Sequence, residues 1–324
     1  MKPSALIVDY SYYPNEAIAK LRSFFEVSAC SAGNSVNLRE MLSQVDPEVF
    51  FCGIDVRVDE KLLDVTSRLK FIVSPATGLT HIDLNYLKNR RIILIDLGEV
   101  KNEIQEVFAT SELAWGLLLS VARRIKNASL SVESGTFDRT PYLGIDLSEK
   151  LLGVVGYGRL GRQVAKYGHA FGMHVIVFDT DQQQLQNTSP AIVAPSFEHL
   201  LKVSDVITFH IPLNKQNTDY FNSEMISKAK PGAIVINTSR GEILDESALA
   251  ESLRRGDLFG VGVDVLSGES EPSFSPDESP LVCALGDGFN VLITPHIGGW
   301  ATSAVSKSRA AIVEKFLIEY LKLF

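Results

Sequence analysis

The sequence predicts an α/β fold of two doubly wound units, each a parallel sheet flanked by helices. Three observations predict it. Short apolar, β-branched runs alternate with amphipathic stretches along almost the whole chain, the rhythm of βαβ units. The strand-like runs form two series, one ending near Asp96 and one starting at Leu151. One helical stretch separates the series and another closes the chain.

In the first series, Ala5–Tyr10, Val49–Ile54, Leu69–Ser74 and Ile92–Asp96 read as strands, with helix-like Pro14–Phe25, Leu38–Val45 and Asp83–Lys88 between them. From Glu103 to Ser134 the pattern is helical, with an apolar stripe through Leu113, Trp115, Leu117, Leu118 and Val121. The second series runs through Leu151–Gly156, Val175–Asp179, Val206–Phe209, Ala233–Asn237, Gly260–Asp264 and Val291–Thr294. Ser267–Pro280, rich in Ser, Pro and Glu, is a loop, and Ala301–Phe324 is a closing helix.

The 324 residues suffice for two cores, and 45% hydrophobic with 22% charged residues is an ordinary globular composition. A net charge of −8 argues against nucleic-acid or anionic-membrane partners. Cys30, Cys52 and Cys283 form no C-x-x-C pair, so neither a zinc site nor a disulfide framework is expected, and the thiols read as small buried groups. Met1-Lys2-Pro3-Ser4 runs straight into a strand, and no apolar run reaches the ~20 residues of a membrane span. The expected location is the cytoplasm.

The strand Leu151–Val155 leads into Gly156-Tyr157-Gly158-Arg159-Leu160-Gly161 and a helix-like Arg162–Phe171, a G-x-G-x-x-G in strand–turn–helix context. Gly156 permits the tight turn, Gly158 the approach of a pyrophosphate, and Gly161 close helix–strand packing. The next strand ends in Asp179, eighteen residues after Gly161, where a carboxylate accepts from the ribose hydroxyls of NAD and repels the 2′-phosphate of NADP. Thr180 and Asp181 follow, not an arginine. The predicted cofactor is NAD.

Three strand ends of the second series carry further candidates: Asn237-Thr238-Ser239-Arg240-Gly241, Gly262–Glu269, and Thr294-Pro295-His296-Ile297-Gly298-Gly299. Hydride transfer to a keto acid needs a cation for the carboxylate, an acid for the forming alkoxide and a group that tunes that acid. Arg240, His296 and Glu269 can supply them in that order. Each alone has another reading: Arg240 as a helix-end salt bridge, Glu269 as a solvated loop acid, His296 as a structural turn residue.

With Gly153–Gly161, His210-Ile211-Pro212-Leu213, Lys230–Leu244, Gly262–Glu269 and Thr294–Gly299 together, the chain resembles the D-isomer-specific 2-hydroxyacid dehydrogenases nearly end to end. The resemblance implies a Rossmann NAD-binding domain, residues 103–296, inserted into a flavodoxin-like substrate domain of residues 1–102 and 297–324. It puts Arg240, Glu269 and His296 on the family's catalytic positions. It puts Tyr157, Gly158, Arg159, Leu160, Asp179, His210, Pro212, Thr238, Ser239, Asp264 and Gly298 around the cofactor. Arg57, Thr77 and Gly78 fall, with Arg240 and His296, on substrate contacts. It also implies a homodimer built largely through the helix near Thr110–Ile125.

Departures from the family pattern narrow the substrate. Thr77 stands where phosphite-oxidising relatives carry Lys, and Glu269 where formate dehydrogenases tend to carry Gln. Asp55 argues against a phosphorylated substrate, while Arg57 keeps a phosphoglycerate-dehydrogenase-like reading open. No serine-sensing domain is expected after Phe324. An NAD-sensing regulator of the same fold without turnover is the alternative. His81, His169, His174 and His199 read as structural. Trp115 and Trp300 read as packing residues, with Trp300 also a candidate wall of the substrate pocket.

Overall fold

The computed structural model describes residues 2–30, 35–99, 105–271 and 273–323. It divides into two compact units, Met1–Val107 with Trp300–Phe324, and Phe108–Gly299. The expected boundary at 102/103, the expected helix start at Glu103 and the final Phe324 lie outside the described residues.

In unit 1 the chain runs β1 (Ser4–Val8), α1 (Asn15–Phe24), β2 (Glu26–Cys30), α2 (Ser35–Val45), β3 (Val49–Phe51), α3 (Glu60–Leu63), β4 (Phe71–Val73), α4 (Leu84–Arg90) and β5 (Ile93–Ile95). Among the described residues these strands form one parallel sheet in the order β2-β1-β3-β4-β5, the flavodoxin-like order. β2 is absent from the sequence expectation because polar Glu26 and Ser28 interrupt its apolar run.

Unit 2 begins with α5 (Ala109–Ala122) and α6 (Ile125–Glu133). Sequence periodicity read these as one helix, but Arg124 takes a left-handed φ of 51° and breaks it. Then come β6 (Leu151–Val155), α7 (Arg159–Ala170), β7 (His174–Phe178), β8 (Ile192–Val193), α8 (Phe197–Val203), β9 (Val206–Phe209), α9 (Ser223–Lys228), β10 (Ala233–Asn237), α10 (Glu246–Arg255), β11 (Leu258–Val263), α11 (Pro280–Gly286) and β12 (Val291–Ile293). The sheet order is β12-β11-β10-β9-β6-β7-β8 among the described residues, all parallel, so the chain reverses direction of winding between β6 and β9. That switch point is where doubly wound sheets open a ligand crevice.

Helix α5 spends its apolar stripe inside its own unit. Ala114, Trp115, Leu117, Leu118 and Val121 are buried in a core shared with β6, β7 and β10. Glycines in β11 let it approach closely: a Cβ on Gly260 would meet Val121 Cγ1 at 2.6 Å. Asn290 then ties the helix to the sheet, donating through Nδ2 to the carbonyls of Val121 and Phe259, both at 3.0 Å.

The closing helix, α12 (Thr302–Leu321), belongs to unit 1. Its fully buried Phe316 sits among Phe25, Phe51, Phe71 and Tyr320, with ring centroids 5.3–5.6 Å away. These edge-on and tilted contacts join the last helix to β3, β4 and α1. Of the cysteines, Cys52 is buried and Cys30 half-buried, but α11 turns Cys283 outward, against expectation. None of the helices among the described residues is long and apolar enough to cross a membrane.

Phe316→Ala empties the centre of this aromatic cluster. It should destabilise unit 1 by about 3–5 kcal/mol, measured as a shift of the urea midpoint; a loss under about 1 kcal/mol would mean that α12 is held some other way.

Candidate active site

The first half of the site is the glycine turn between β6 and α7. Gly156 has φ +92°, and a Cβ there would lie 2.6 Å from the carbonyl oxygen of His210 across the switch point. Gly161 packs so tightly under the turn that its Cβ would come 2.0 Å from the oxygen of Gly156. Gly158, just before α7, has open space where its side chain would be. Asp179 follows β7 and grips the turn: Oδ2 accepts from the Tyr157 N–H at 2.7 Å and Oδ1 from the Asp181 N–H at 2.9 Å.

The Tyr157 side chain is buried in the core of the unit, with the Arg162 guanidinium 4.5 Å from its ring centroid. Its backbone N–H is committed to Asp179. Arg159 and Leu160 open α7 half-buried, and burial lowers the pKa of the Arg159 guanidinium. Pro212 is exposed, with its carbonyl accepting from Asn217 Nδ2 at 2.6 Å.

Two buried polar atoms around this turn have no partner among the described residues: Thr238 Oγ1 and His210 Nδ1. His210 Nε2 lies 2.9 Å from Thr208 Oγ1, and burial pushes its pKa down to about 4, which keeps the imidazole neutral. An open Gly158 at a helix N-terminus, a carboxylate at the next strand end and these orphan atoms fit a dinucleotide.

The second half is built from three strand ends. Buried Asn237, last in β10, accepts the Ser239 N–H (2.9 Å) and Oγ–H (2.5 Å) and donates to the Arg240 carbonyl at 2.8 Å. Ser239 is thereby committed locally, its carbonyl accepting from Arg240 Nη1 at 2.6 Å. Gly241 allows the loop after β11 to lie against this segment, since a Cβ there would come 2.1 Å from the Leu266 carbonyl carbon.

Asp264, only 1% exposed, follows β11 and holds the turn after β12. Its Oδ1 accepts from Thr294 Oγ1 (2.5 Å) and the Ile297 N–H (2.8 Å), and its Oδ2 from the Gly298 N–H (2.7 Å). The Asp264 carbonyl takes the His296 N–H at 2.8 Å, and His296 adopts a left-handed φ of 51°. Asp264 and Gly298, read from sequence as cofactor contacts, have these polar atoms committed to each other within the turn.

That turn presents the imidazole to Glu269: His296 Nδ1 and Glu269 Oε1 are 2.5 Å apart. The other Glu269 oxygen accepts from the Leu266 N–H at 3.1 Å. Two glutamates that sequence reasoning missed clamp the same loop. Glu246 Oε1 accepts the Ser267 N–H at 2.7 Å and its Oε2 accepts Ser279 Oγ–H at 2.5 Å, while Glu242 takes the Gly268 N–H at 3.2 Å. Their one sequence signal was a start of helix at Asp245-Glu246, which is ambiguous with a solvated first turn.

The His296 pKa is raised. The hydrogen bond to Glu269 contributes most, burial opposes it, and the charges of Glu269 and Asp264 outweigh that of nearby Arg240. Burial likewise raises the Asp264 and Glu246 carboxyls despite their hydrogen bonds. A cation, an imidazole whose pKa is raised and a carboxylate behind it thus meet at the carboxyl ends of β10, β11 and β12. In unit 1, Arg57 donates through Nη1 to the Thr80 carbonyl at 3.3 Å, while Thr77 is exposed and Gly78 half-buried in the loop after β4.

Residues 115–298 match the family described as D-isomer specific 2-hydroxyacid dehydrogenase, NAD binding domain. Over 99% of its length the chain is 33% identical to the glyoxylate reductase of Thermococcus litoralis, covering 95% of that protein. It is 34% identical over 82% of its length to the D-3-phosphoglycerate dehydrogenase of Bacillus subtilis, spanning 48% of that longer protein. The D-lactate dehydrogenase of Aquifex aeolicus, solved with NAD and lactic acid, is similar with a TM-score of 0.77 and 27% identity, covering 98% of this chain and 96% of that one.

If Glu269 is what raises the His296 pKa, an NMR titration of the imidazole protons should give a value above 6.5 in the wild type. Glu269→Gln should lower it, because the neutral amide no longer favours the imidazolium. An unchanged or higher value in the variant would assign the shift to another group.

Proposed function

This chain belongs to the D-isomer specific 2-hydroxyacid dehydrogenase family and is an NAD-dependent oxidoreductase between D-2-hydroxy and 2-keto acids, and we propose that Arg240, Glu269 and His296 carry its reaction on a small unphosphorylated keto acid of the glyoxylate type. When bound, NAD accepts or supplies the hydride. The Arg240 guanidinium binds the substrate carboxylate as a planar fork and polarises the adjacent carbonyl. The His296 Nδ1 is engaged by Glu269, so Nε2 is the atom that delivers a proton to the forming alkoxide and recovers it in the reverse direction. Glu269 fixes the ring and favours its protonated form.

The observation that carries this reading is the 2.5 Å Glu269–His296 contact with the raised imidazole pKa. A raised pKa favours the charged form of the acid, the form that reduction needs. Asp179 at the glycine turn supports NAD over NADP through its charge. The exposed Asp55 carboxylate, two residues before Arg57, disfavours a phosphate in the first-unit loop. A non-catalytic NAD-sensing role is not favoured, since the curated relatives named above are all enzymes of this reaction class.

We also infer a homodimer, on a different surface from the stripe of α5. On α6 and the segment after it, Ile125, Leu130 and Val132 are half exposed, Phe137 is 95% exposed and Leu143 84% exposed. Large apolar side chains exposed in this number along one segment are what an interface would cover.

Wild-type protein should oxidise NADH with glyoxylate, with a rate that falls as pH rises through the His296 pKa, because reduction needs the imidazolium. Glu269→Gln should move that alkaline limb to lower pH. Arg240→Lys should leave NADH binding intact while kcat/KM drops by roughly a hundredfold or more, as a point charge replaces a bidentate fork. Near-normal kcat/KM in the lysine variant would refute the carboxylate role.

Sedimentation should show a dimer at micromolar concentration, and Phe137→Asp with Leu143→Asp should shift it to monomer. A wild-type monomer, or a double variant that stays dimeric, would remove this surface from consideration.

A further inference from the structure

We propose that Glu246 is a positioning residue of the reaction, a fixed post on α10 that holds the Ser267–Glu269 loop where Glu269 meets His296. The inference rests on the Glu269–His296 pairing and names what keeps that pairing in place. The loop needs outside support. β11 ends at Val263, and Val265 and Leu266 are still buried, but Ser267 is exposed and Gly268 and Glu269 are only half-buried. Gly268 takes a left-handed φ of 74°, and a glycine exchanges that conformation for others at little cost. Two turn bonds, from the Glu269 N–H to the Leu266 carbonyl at 3.3 Å and from the Glu271 N–H to the Gly268 carbonyl at 2.9 Å, curl the segment without tying it to the rest of the unit.

Glu246 stands on a stiff base. Asp245 caps α10 by accepting the Ala248 N–H at 2.9 Å, and Leu249, Ala250 and Leu253 bury the helix in the core of unit 2. Glu246, in the first turn, is only 8% exposed, and both its oxygens are engaged. Oε2 accepts the Ser279 hydroxyl at 2.5 Å, and Ser279 is itself fixed, since its Oγ caps α11 by accepting the Val282 N–H at 3.4 Å. The carboxylate is thus aimed by the start of one helix and braced by the start of another. Its free edge, Oε1, reaches the Ser267 N–H at 2.7 Å, twenty-one residues along the chain. Glu242, half-buried, adds only the longer contact to the Gly268 N–H at 3.2 Å.

Glu246 acts on the acid through Glu269 and not through its own charge. The charges that act most on the His296 imidazole are those of Glu269, Arg240 and Asp264. Within the loop the Glu246 charge is a cost: burial raises its carboxyl, and the charges of Glu242 and Glu269 raise it further. What the site gains from this residue is reach and a correctly placed acceptor. Glutamine has the same reach, since its carbonyl oxygen can accept the Ser267 N–H while its amide donates to Ser279 Oγ. Aspartate keeps the charge but is one methylene too short to span from α10 to the loop.

The test reads kcat/KM for glyoxylate, NADH affinity and the His296 pKa by NMR, all in the full-length protein. Glu246→Ala and Glu246→Asp should each lower kcat/KM by about ten- to a hundredfold, the cost of misplacing a reacting group, and leave NADH affinity unchanged. Both should also lower the His296 pKa, as Glu269 withdraws from the ring. Glu246→Gln should bring kcat/KM back to within about threefold of wild type and restore the imidazole pKa. On a Glu269→Ala background, adding Glu246→Asp should cost no more than about twofold, because nothing remains to be positioned. The aspartate variant decides the matter if the alanine variant does not fold. Losses that multiply in the double variant, a glutamine variant as impaired as the aspartate one, or an aspartate variant with near-normal kcat/KM and an unshifted His296 would overturn the proposal. A Glu269→Ala variant that keeps both the rate and the imidazole pKa would overturn the catalytic reading itself, and this inference with it.

Discussion

The candidate active site depends on one buried carboxylate. Asp264 has no solvent to satisfy it, so its two oxygens are saturated by the Thr294 hydroxyl and two backbone amides of the next strand's turn. That saturation holds His296 in a left-handed backbone conformation that a non-glycine residue adopts only when its surroundings impose it. Without the constraint the turn would relax toward an ordinary conformation, and the imidazole would leave Glu269. The energy that keeps the acid in place is therefore drawn from the sheet's own core, not from the acid.

The same economy operates on the facing loop. Glu269 is a side chain on a segment with positive-φ Gly268 and little regular structure, yet consecutive amides of that segment are each bound by a carboxylate, those of Leu266, Ser267 and Gly268 by Glu269, Glu246 and Glu242. Three acids in so small a space repel one another, and burial raises the most enclosed of them. Donated N–H groups offset that repulsion. Gly241 makes the arrangement possible by letting two backbones touch where any side chain would intrude.

Much of this was legible in the sequence, because the parts that recur in chemistry are local. The glycine turn, Asp179 and the Arg–Glu–His set could be named from residues and resemblance, and the strand series predicted both parallel sheets. What could not be read was support supplied from a distance. Glu246 grips a loop twenty-one residues away, and Asp264 reads from sequence as a ligand contact because nothing local reveals that its oxygens are already taken. Helix periodicity ran straight through Arg124, since an apolar stripe carries no information about one reversed φ. The stripe of α5 likewise reads as an interface until the glycines of β11 are seen to admit it to the core.

Asp179 illustrates how a fold can restrict its own evolution. The carboxylate placed to meet a ribose is also the acceptor for the Tyr157 amide in the glycine turn. Losing it outright would strand a backbone donor, a penalty of about 1–3 kcal/mol if that donor stays dry. The loss would fall on the loop that must hold its shape against a pyrophosphate. A lineage drifting toward the phosphorylated dinucleotide could not simply erase this side chain. It would have to pass through a neutral acceptor such as asparagine or serine, which abolishes the repulsion while keeping the amide satisfied.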